Sequence, residues 1–201
     1  MLIDCVNVGQ GELYRILTGT VIPRPIAWVS SRGENGVDNL APFSFFNVVS
    51  VNPPMVAFSP GYKVDAVTKK LIEKDTLKNI RASGEFVVNL VDHSLAEKMN
   101  LSSSDLPSAQ SEFDLAGLER ASAAKVRCPL VAAASVSFEC RLFHIHELGG
   151  STLILGEIVA IHLKDGIWQN GTVDLSLFQP VGRLGENLYC TINDRFEIKR
   201  P

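Results

Sequence analysis

The feature that most constrains the fold is a pair of long β-type segments near the C-terminus. Residues 134–148 and 152–164 are rich in branched and apolar side chains, and only Gly149-Gly150-Ser151 separates them. A short glycine-containing connection between two such runs is typical of a β-hairpin. Because strand-like runs also dominate the rest of the chain, the sequence predicts a mainly β protein.

Further strands are expected at 25–31, 45–51, 54–59 and 85–91. The last of these runs is almost continuously apolar, which is typical of a buried strand. After the hairpin, Ile167-Trp168 is predicted to form a short return strand that ends at Asn170-Gly171.

Two short helices are predicted between the strands. Asp75 is a suitable N-cap for a helix over 76–82, and Gly84 would end it. A second helix is expected over 94–101, followed by a mobile excursion over the Ser-, Asp- and Pro-rich segment 102–116. The chain has no internal repeat and no linker-like stretch, so residues 1–201 are predicted to form a single domain with a few inserted helices.

Charge and composition limit the kinds of partner and the compartment that can be expected. A net charge of -3 argues against nucleic acid, because phosphate binding is driven by a basic surface. No apolar run approaches the roughly 18 residues that a membrane span needs, and the first residues lack the basic and apolar regions of a signal peptide. A cytoplasmic protein is therefore expected, and the four cysteines, which form no CxxC pair, are expected to be free and mostly buried.

The stretch Asn39-Leu-Ala-Pro-Phe-Ser-Phe-Phe-Asn47 alternates small or polar residues with large flat rings. Such a segment can lie against an aromatic ligand and donate hydrogen bonds from the same short run of backbone. A structural strand more often alternates apolar and polar residues with period two. On the residues alone, a ligand-contacting loop and a plain turn at a strand edge remain equally open.

Two charged motifs are candidate anion sites. Lys74-Asp75-Thr76 lies at the start of a predicted helix, where unpaired N–H groups and a partial positive charge favour phosphate. The alternative, which the tripeptide alone favours, is a capped helix with a solvated lysine. Pro23-Arg24-Pro25 fixes an extended backbone around an arginine, which suits an anion or a subunit contact, or is an arginine at the surface.

Other candidate sites are weaker. The stretch 182–189 has two glycines and does not lead from a strand into a helix, so a dinucleotide fold is rejected. It is either a loop that brings Arg183 and Tyr189 back onto the barrel or a structural turn. His144 and His146 share one face of a predicted strand, but no third ligand is evident, so no metal site is expected.

Six motifs together resemble a known family. They are PRPIAWVSS at 23–31, NLAPFSFFN at 39–47, NPP at 52–54, FSP at 58–60, KDT with Asn-Ile at 74–80, and FVVN at 86–89. In this order they resemble the flavin reductase-like family of FMN-binding split barrels, of the flavoredoxin type, over about residues 10–190. The resemblance implies a six-stranded Greek-key split β-barrel, a homodimer, and one FMN per subunit near the dimer interface.

The resemblance also assigns cofactor contacts. Those expected to line the flavin are Asn39, Ala41, Pro42, Ser44 and Phe45, with Ser44 toward the ribityl chain or the phosphate. Ser59 and Pro60 would border the same pocket, Lys74 and Thr76 would bind the phosphate, and Arg183 would be a further contact. Family members often have Arg-Leu-Gly-Gly where this chain has Arg-Leu-Gly-Glu at 183–186, and its segment 61–73 is longer than usual.

The implied activity is hydride transfer from NADH or NADPH to FMN, followed by electron transfer to an acceptor. The flavin does this chemistry and needs no side-chain acid or base, so no catalytic residue is named. The partner would be a monooxygenase that takes reduced flavin, or an acceptor that is reduced directly. Two alternatives stay open: a flavoredoxin-type carrier reduced by a protein partner, and an FMN-binding module without redox turnover.

Overall fold

The predicted hairpin lies inside the main sheet. The computed structural model describes residues 1–65 and 68–199, and in these residues seven strands form one antiparallel sheet. The strands are β1 (Ala27–Arg32), β2 (Asp38–Phe43), β3 (Phe46–Val51), β4 (Pro54–Phe58), β5 (Glu85–Leu90), β6 (Val136–Glu147) and β7 (Thr152–Leu163). Their order is β2-β1-β5-β6-β7-β4-β3, so β2 and β3 are the edges and the sheet does not close.

Helices and short strand pairs surround this sheet. The helices are α1 (Gln10–Thr20), α2 (Asp75–Ser83), α3 (Ala96–Leu101) and α4 (Glu112–Leu115), with a 3-10 turn at His93–Leu95. The short pairs are Lys63–Val64 with Leu71–Ile72, Arg120–Ala121 with Leu130–Val131, Trp168–Gln169 with Thr172–Val173, and Gly182–Arg183 with Tyr189–Cys190. None of the described helices is long and apolar enough to cross a membrane.

Both faces of strand β1 are buried. On one face Val29 belongs to a cluster that contains Phe58, Phe86 and Ile80 of α2. On the other face Trp28 packs in a second cluster with residues of α3 and α4. Helices therefore cover both faces of the sheet at its β1–β2 end.

A glycine of β7 makes room for the first cluster. A Cβ added at Gly156 would lie 2.3 Å from Cζ of Phe86. The Phe86 ring is fully buried, with its centroid 5.5 Å from that of Phe58. Only glycine lets this ring lie against the sheet at that point.

Residues 39–43 of the stretch from Asn39 lie in strand β2, and Ser44 and Phe45 form a bend before β3. Strand β2 pairs with β1 along its whole length, from Asp38 opposite Arg32 to Phe43 opposite Ala27. Pro42 is compatible with this pairing because β2 is an edge strand, where a missing N–H is tolerated. With β2 included, the main sheet has seven strands, one more than the resemblance implies.

Two expectations about helices need correction. Asp75 is the first residue of α2, and Lys74 occupies the N-cap position without a side-chain cap, so the predicted start is one residue late. Gly84 ends this helix in the left-handed conformation with φ 68, as predicted. Helix α1 was not expected at all, because two glycines interrupt its sequence and Thr18 is its only buried residue.

The segment 102–116 is not a mobile excursion in its second half. It contains α4, whose Phe113 is fully buried in the cluster around Trp28. Ser111 and Glu112 are also buried, and their side chains bond to β2. Polar composition was misleading here because the polar side chains bind the sheet edge instead of water.

The four cysteines are free, as expected. Cys128 and Cys140 are buried, whereas Cys5 is exposed and Cys190 is half-buried, so half of them are buried rather than most. Burial raises the pKa of the Cys128 thiol to about 11, which keeps this thiol protonated and unreactive.

Candidate functional site

Two adjoining cavities lie along strand β2. The larger, of about 370 Å³, is bounded by α1, the end of β2, α3 and the hairpin 182–190. The smaller, of about 80 Å³, is bounded by β2, the start of α2 and the segment 102–106. Pro42 and Ser103 belong to the walls of both cavities, so an elongated ligand could occupy the two together.

The wall of the smaller cavity is a connected hydrogen-bond network. The Thr76 hydroxyl donates to Oδ1 of Asn39 at 2.7 Å, and the Asn39 amide donates to Oε2 of Glu112 at 2.9 Å. The same carboxylate oxygen accepts the backbone N–H of Leu40 at 2.9 Å. Asn39 and Thr76 are thus fixed by the protein itself, and they shape this cavity as a rigid wall.

Glu112 is a site residue that sequence reasoning missed. Burial raises the pKa of its carboxyl, and the hydrogen bonds from Leu40 and Asn39 oppose that rise only in part. The sequence places this residue in the segment 102–116, which is expected to be mobile. Its position was not readable from the sequence, because its partners lie more than 70 residues away.

Lys74 is the cation of the smaller cavity that remains available to an anion. Its ammonium lies 5.7 Å from the centroid of the Phe43 ring, and burial lowers its pKa. Lys63, in the same cavity, is paired with Asp75 at 3.5 Å, whereas no ion pair of Lys74 occurs among the described residues. A half-buried lysine at an uncapped helix N-terminus is chemically suited to a phosphate.

Arg24 has a structural role in the larger cavity. Its side chain is 7% exposed and donates to the carbonyl oxygens of Thr18, Val21 and Leu184, and to the Ser44 hydroxyl at 3.3 Å. Burial lowers the pKa of its guanidinium. The expectation of an arginine at the surface is therefore wrong: Arg24 binds the C-terminal end of α1 to the loop after β2 and to the hairpin 182–190.

The hairpin 182–190 returns onto the sheet, which decides between the two alternatives for this segment. Arg183 and Arg24 exchange backbone hydrogen bonds of 2.8 and 2.9 Å. The Arg183 guanidinium lies 4.5 Å from the centroid of the Tyr189 ring and donates to its hydroxyl. A Cβ on Gly182 would lie 2.8 Å from Cβ of Pro23, so the close approach requires glycine.

Most of the predicted cofactor contacts lie together at these cavities. The smaller cavity is lined by Asn39, Ala41, Pro42, Lys74 and Thr76, and the larger one by Pro42, Ser44 and Arg183. The ring of Phe45 lies 6.5 Å from that of Tyr14, a residue that lines the larger cavity.

Ser59 and Pro60 line neither cavity. The Ser59 hydroxyl donates to the Thr152 carbonyl at 2.8 Å, and its N–H donates to the Phe45 carbonyl at 2.9 Å. Ser59 therefore supports the backbone of Phe45 from behind. Sequence reasoning missed several lining residues: Tyr14, Thr18, Lys63, Asn100, Ser103 and Glu112. All of them except Asn100, which lies in the predicted second helix, come from unpredicted or misassigned segments.

Within residues 1–65 and 68–199 no three histidine, cysteine or carboxylate side chains converge as metal ligands do. The rings of His144 and His146 lie 4.2 Å apart as a pair. The cavities along β2 instead combine apolar side chains, such as Tyr14 and Pro42, with two cations at each end: Lys63 and Lys74 in the smaller cavity, and Arg24 and Arg183 in the larger. This combination suits an elongated ligand with an aromatic part and a phosphate.

Comparisons with known proteins agree with this geometry. Residues 18–175 match the model of the flavin reductase like domain. Component B of nitrilotriacetate monooxygenase from Bacillus cereus has 31% identical residues and a TM-score of 0.93, over 98% of both chains. The 2-nitrobenzoate 2-nitroreductase of Pseudomonas fluorescens has 33% identity and a TM-score of 0.89, over all of this chain and 96% of that one.

A more distant structure supports the fold alone. It is a split-barrel protein of the flavin reductase type from Shewanella frigidimarina, with 19% identity and a TM-score of 0.84 over the full length of both chains. The open seven-stranded sheet is thus a split barrel, as the motifs indicated. With the family model covering most of its length, the chain belongs to the flavin reductase-like family.

Proposed function

We propose that the protein binds FMN along strand β2 and uses NADH or NADPH to reduce it, passing the electrons to an acceptor. The observation that carries this proposal is the position of Lys74: a half-buried cation without an ion pair among the described residues, at the end of two adjoining cavities. Family membership supports a flavin, and Lys74 at the N-terminus of α2 suits the phosphate of FMN.

Each group of residues has a distinct task in this proposal. Lys74 and the first N–H groups of α2 bind the phosphate, while the network of Thr76 and Asn39 forms the rigid wall beside it. Ala41, Pro42 and Phe45 lie against the flat part of the ligand, and Ser44 contacts the ribityl chain. A bound flavin supplies the ring that accepts hydride, and the chain supplies binding, orientation and the exclusion of water.

Two classes of acceptor follow from the named relatives. The monooxygenase component suggests a partner enzyme that receives reduced flavin, and the nitroreductase suggests a small molecule reduced on this protein. A cytoplasmic location, as the sequence predicts, is part of the proposal.

The proposed assembly is a homodimer. Edge strand β3 supports it, because Val48, Val49 and Val51 are 52%, 53% and 85% exposed. A bare apolar edge is a liability in a monomer and is ordinarily covered. A second copy that packs on β3 would bury these valines beside Phe45, close to the proposed flavin.

The test is steady-state oxidation of NADH and of NADPH with and without added FMN. Oxidation that depends on FMN and saturates with either nucleotide would support the reductase. If the protein binds FMN but oxidises neither nucleotide, a flavoredoxin-type carrier or a silent FMN-binding module replaces it. A protein that fails to bind FMN at all would refute the proposal.

A further inference from the structure

A buried carboxylate lies in the wall of the cavity proposed for the phosphate. Glu112 is 7% exposed and lines the smaller cavity together with Lys74. This cavity, of about 80 Å³, has room for the phosphate of FMN but not for its ring system, so the ring must lie in the larger cavity of about 370 Å³. A phosphate beside Lys74 would therefore be a near neighbour of Glu112.

No cation neutralises Glu112 within residues 1–65 and 68–199, because none of the ion pairs there includes it. Its Oε2 accepts the backbone N–H of Leu40 and the amide of Asn39, both at 2.9 Å, and both donors are neutral. In the described part of the chain, the one further donor to this carboxylate is its own backbone N–H. Both bonds to other residues thus use Oε2, and Oε1 is left to carry a proton.

The other acidic side chains around Glu112 are paired or exposed. Glu112 lines the smaller cavity and also a third cavity, of about 300 Å³. The other charged side chains that line these two cavities are Glu34, Lys63, Lys74, Asp75, Lys78 and Asp105. Asp75 is paired with two lysines, and Glu34 and Asp105 are exposed. Asp114 on α4 and Asp38 on β2 are paired with arginines. Among the described residues of these surroundings, only Glu112 combines burial with the lack of a cation.

We propose that Glu112 binds the phosphate of FMN in its protonated form, so that the carboxyl and the phosphate share one proton. Oε1–H would donate to a phosphate oxygen, while Oε2 continues to accept its two hydrogen bonds. Two acidic groups at hydrogen-bond distance do not both stay fully ionised, and pairs of carboxyl groups share one proton for this reason. The proton comes from water or from the phosphate itself, whose second pKa is about 6, and no other bond forms or breaks. This inference rests on the proposed function, because it requires a phosphate beside Lys74.

The surroundings of Glu112 favour the neutral carboxyl before any phosphate binds. Burial raises the pKa of Glu112, and the hydrogen bonds from Leu40 and Asn39 offset this rise only in part. A negative phosphate nearby would raise the same pKa further. By linkage, FMN binds more tightly when Glu112 is protonated, so its affinity should fall as the pH rises above the pKa of Glu112 in the free protein. Lys74 gives a decline of the same sign, so the two residues have to be separated by substitution.

The experiment is titration of the wild-type protein and Glu112→Gln with FMN and with riboflavin, from about pH 5.5 to about pH 8.5, followed by flavin fluorescence. Glutamine keeps an oxygen for Leu40 and Asn39 and offers the phosphate an N–H at every pH. Glu112→Gln should therefore bind FMN about tenfold more tightly than the wild type at the highest pH, with a smaller difference at the lowest. Riboflavin should change by less than about twofold. Asp114→Asn removes an exposed, paired carboxylate from the same helix and should change neither flavin.

Several outcomes would overturn the inference. An FMN affinity that is the same in Glu112→Gln and the wild type, or that differs by one factor at every pH, would show that Glu112 takes up no proton for the phosphate. Equal changes for FMN and riboflavin would make the effect a general disturbance of the site. A protein that binds neither flavin would instead refute the proposed function.

A second measurement needs no substitution of Glu112 and applies even if Glu112→Gln does not fold. Calorimetry in buffers of different ionisation enthalpy counts the protons taken up on binding. At about pH 7.5, where a free phosphate monoester is a dianion, FMN should bind to the wild type with net proton uptake and riboflavin without it. The uptake should persist in Lys74→Met. Absence of uptake in the wild type, or its loss in Lys74→Met, would contradict the role of Glu112.

Discussion

Lys74→Met is the substitution that most sharply examines the proposed phosphate contact. Methionine keeps most of the length and apolar packing of the lysine stem while it removes the charge. Two unit charges about 4 Å apart near a protein surface interact by about 4 kcal/mol, and part of this is lost to the desolvation of both groups. Net values for hydrogen bonds to charged groups are about 1.5–3 kcal/mol, so FMN should bind roughly 10- to 150-fold more weakly.

Riboflavin separates this loss from a general disturbance of the site, because it has the same ring and ribityl chain without the phosphate. Titration followed by flavin fluorescence should show riboflavin affinity changed less than about twofold in Lys74→Met. Lys78→Met is the matched control: it removes the same charge from the same helix, but Lys78 is exposed and paired with Asp75 at 3.3 Å. Equal losses for FMN and riboflavin, or equal effects of the two substitutions, would refute the phosphate role.

The direction of the pKa shift adds a pH dependence. Burial lowers the pKa of Lys74 in the free protein, and a bound phosphate would raise it again. FMN affinity should therefore be greatest below the lowered pKa and decline as the pH rises through it, at a pH below that of an ordinary lysine. Riboflavin affinity should show no such decline, and a parallel decline would point to loss of the fold instead.

Three further predictions concern stability and assembly. Glu139 is fully buried; burial alone raises the pKa of its carboxyl, but hydrogen bonds from His162 and the N–H groups of 124–126 outweigh burial and lower it. The stabilisation that ionised Glu139 contributes should be complete above the usual glutamate pKa and be lost as the pH falls through the lowered pKa. Glu139→Gln should lower the free energy of unfolding in urea by about 2 kcal/mol at neutral pH and flatten this pH profile. An unchanged pH profile in Glu139→Gln would contradict the prediction. Gly156→Ala should destabilise the protein by about 1–3 kcal/mol, against almost nothing for Gly150→Ala, which meets no atom within 4 Å; similar thermal unfolding of the two would show that Phe86 can move aside. Val48→Lys with Val51→Lys should convert the proposed dimer to a monomer in sedimentation, and a variant that stays dimeric would place the interface elsewhere.

The sequence predicted the structural features that depend on local residue patterns. The long runs on either side of Gly149-Gly150-Ser151 became β6 and β7, and Gly84 ends α2 because a left-handed residue is required there. The motifs gave the family and most of the cavity-lining residues of β2 and α2. In these segments the residue types, their period and their turn chemistry all favour the same structure.

The features that the sequence did not predict depend on contacts between distant segments. From the sequence, Arg24 is expected at the surface. In the structure it donates hydrogen bonds to the carbonyl groups of Thr18 and of Leu184, which is 160 residues away. From the sequence, Glu112 is expected in a mobile polar stretch. In the structure its carboxylate accepts a hydrogen bond from Asn39 of β2. No local period encodes such partnerships, so the half of the site built by α1, α4 and the hairpin 182–190 could be found only in the structure.

The most direct test of the account is the absorbance spectrum of the FMN-loaded protein without oxygen, before and after addition of NADH or NADPH. The account predicts that the bands of the oxidised flavin bleach at about one nucleotide per flavin and return when air is admitted. A protein that takes up no FMN, or whose flavin stays oxidised with both nucleotides, would contradict it.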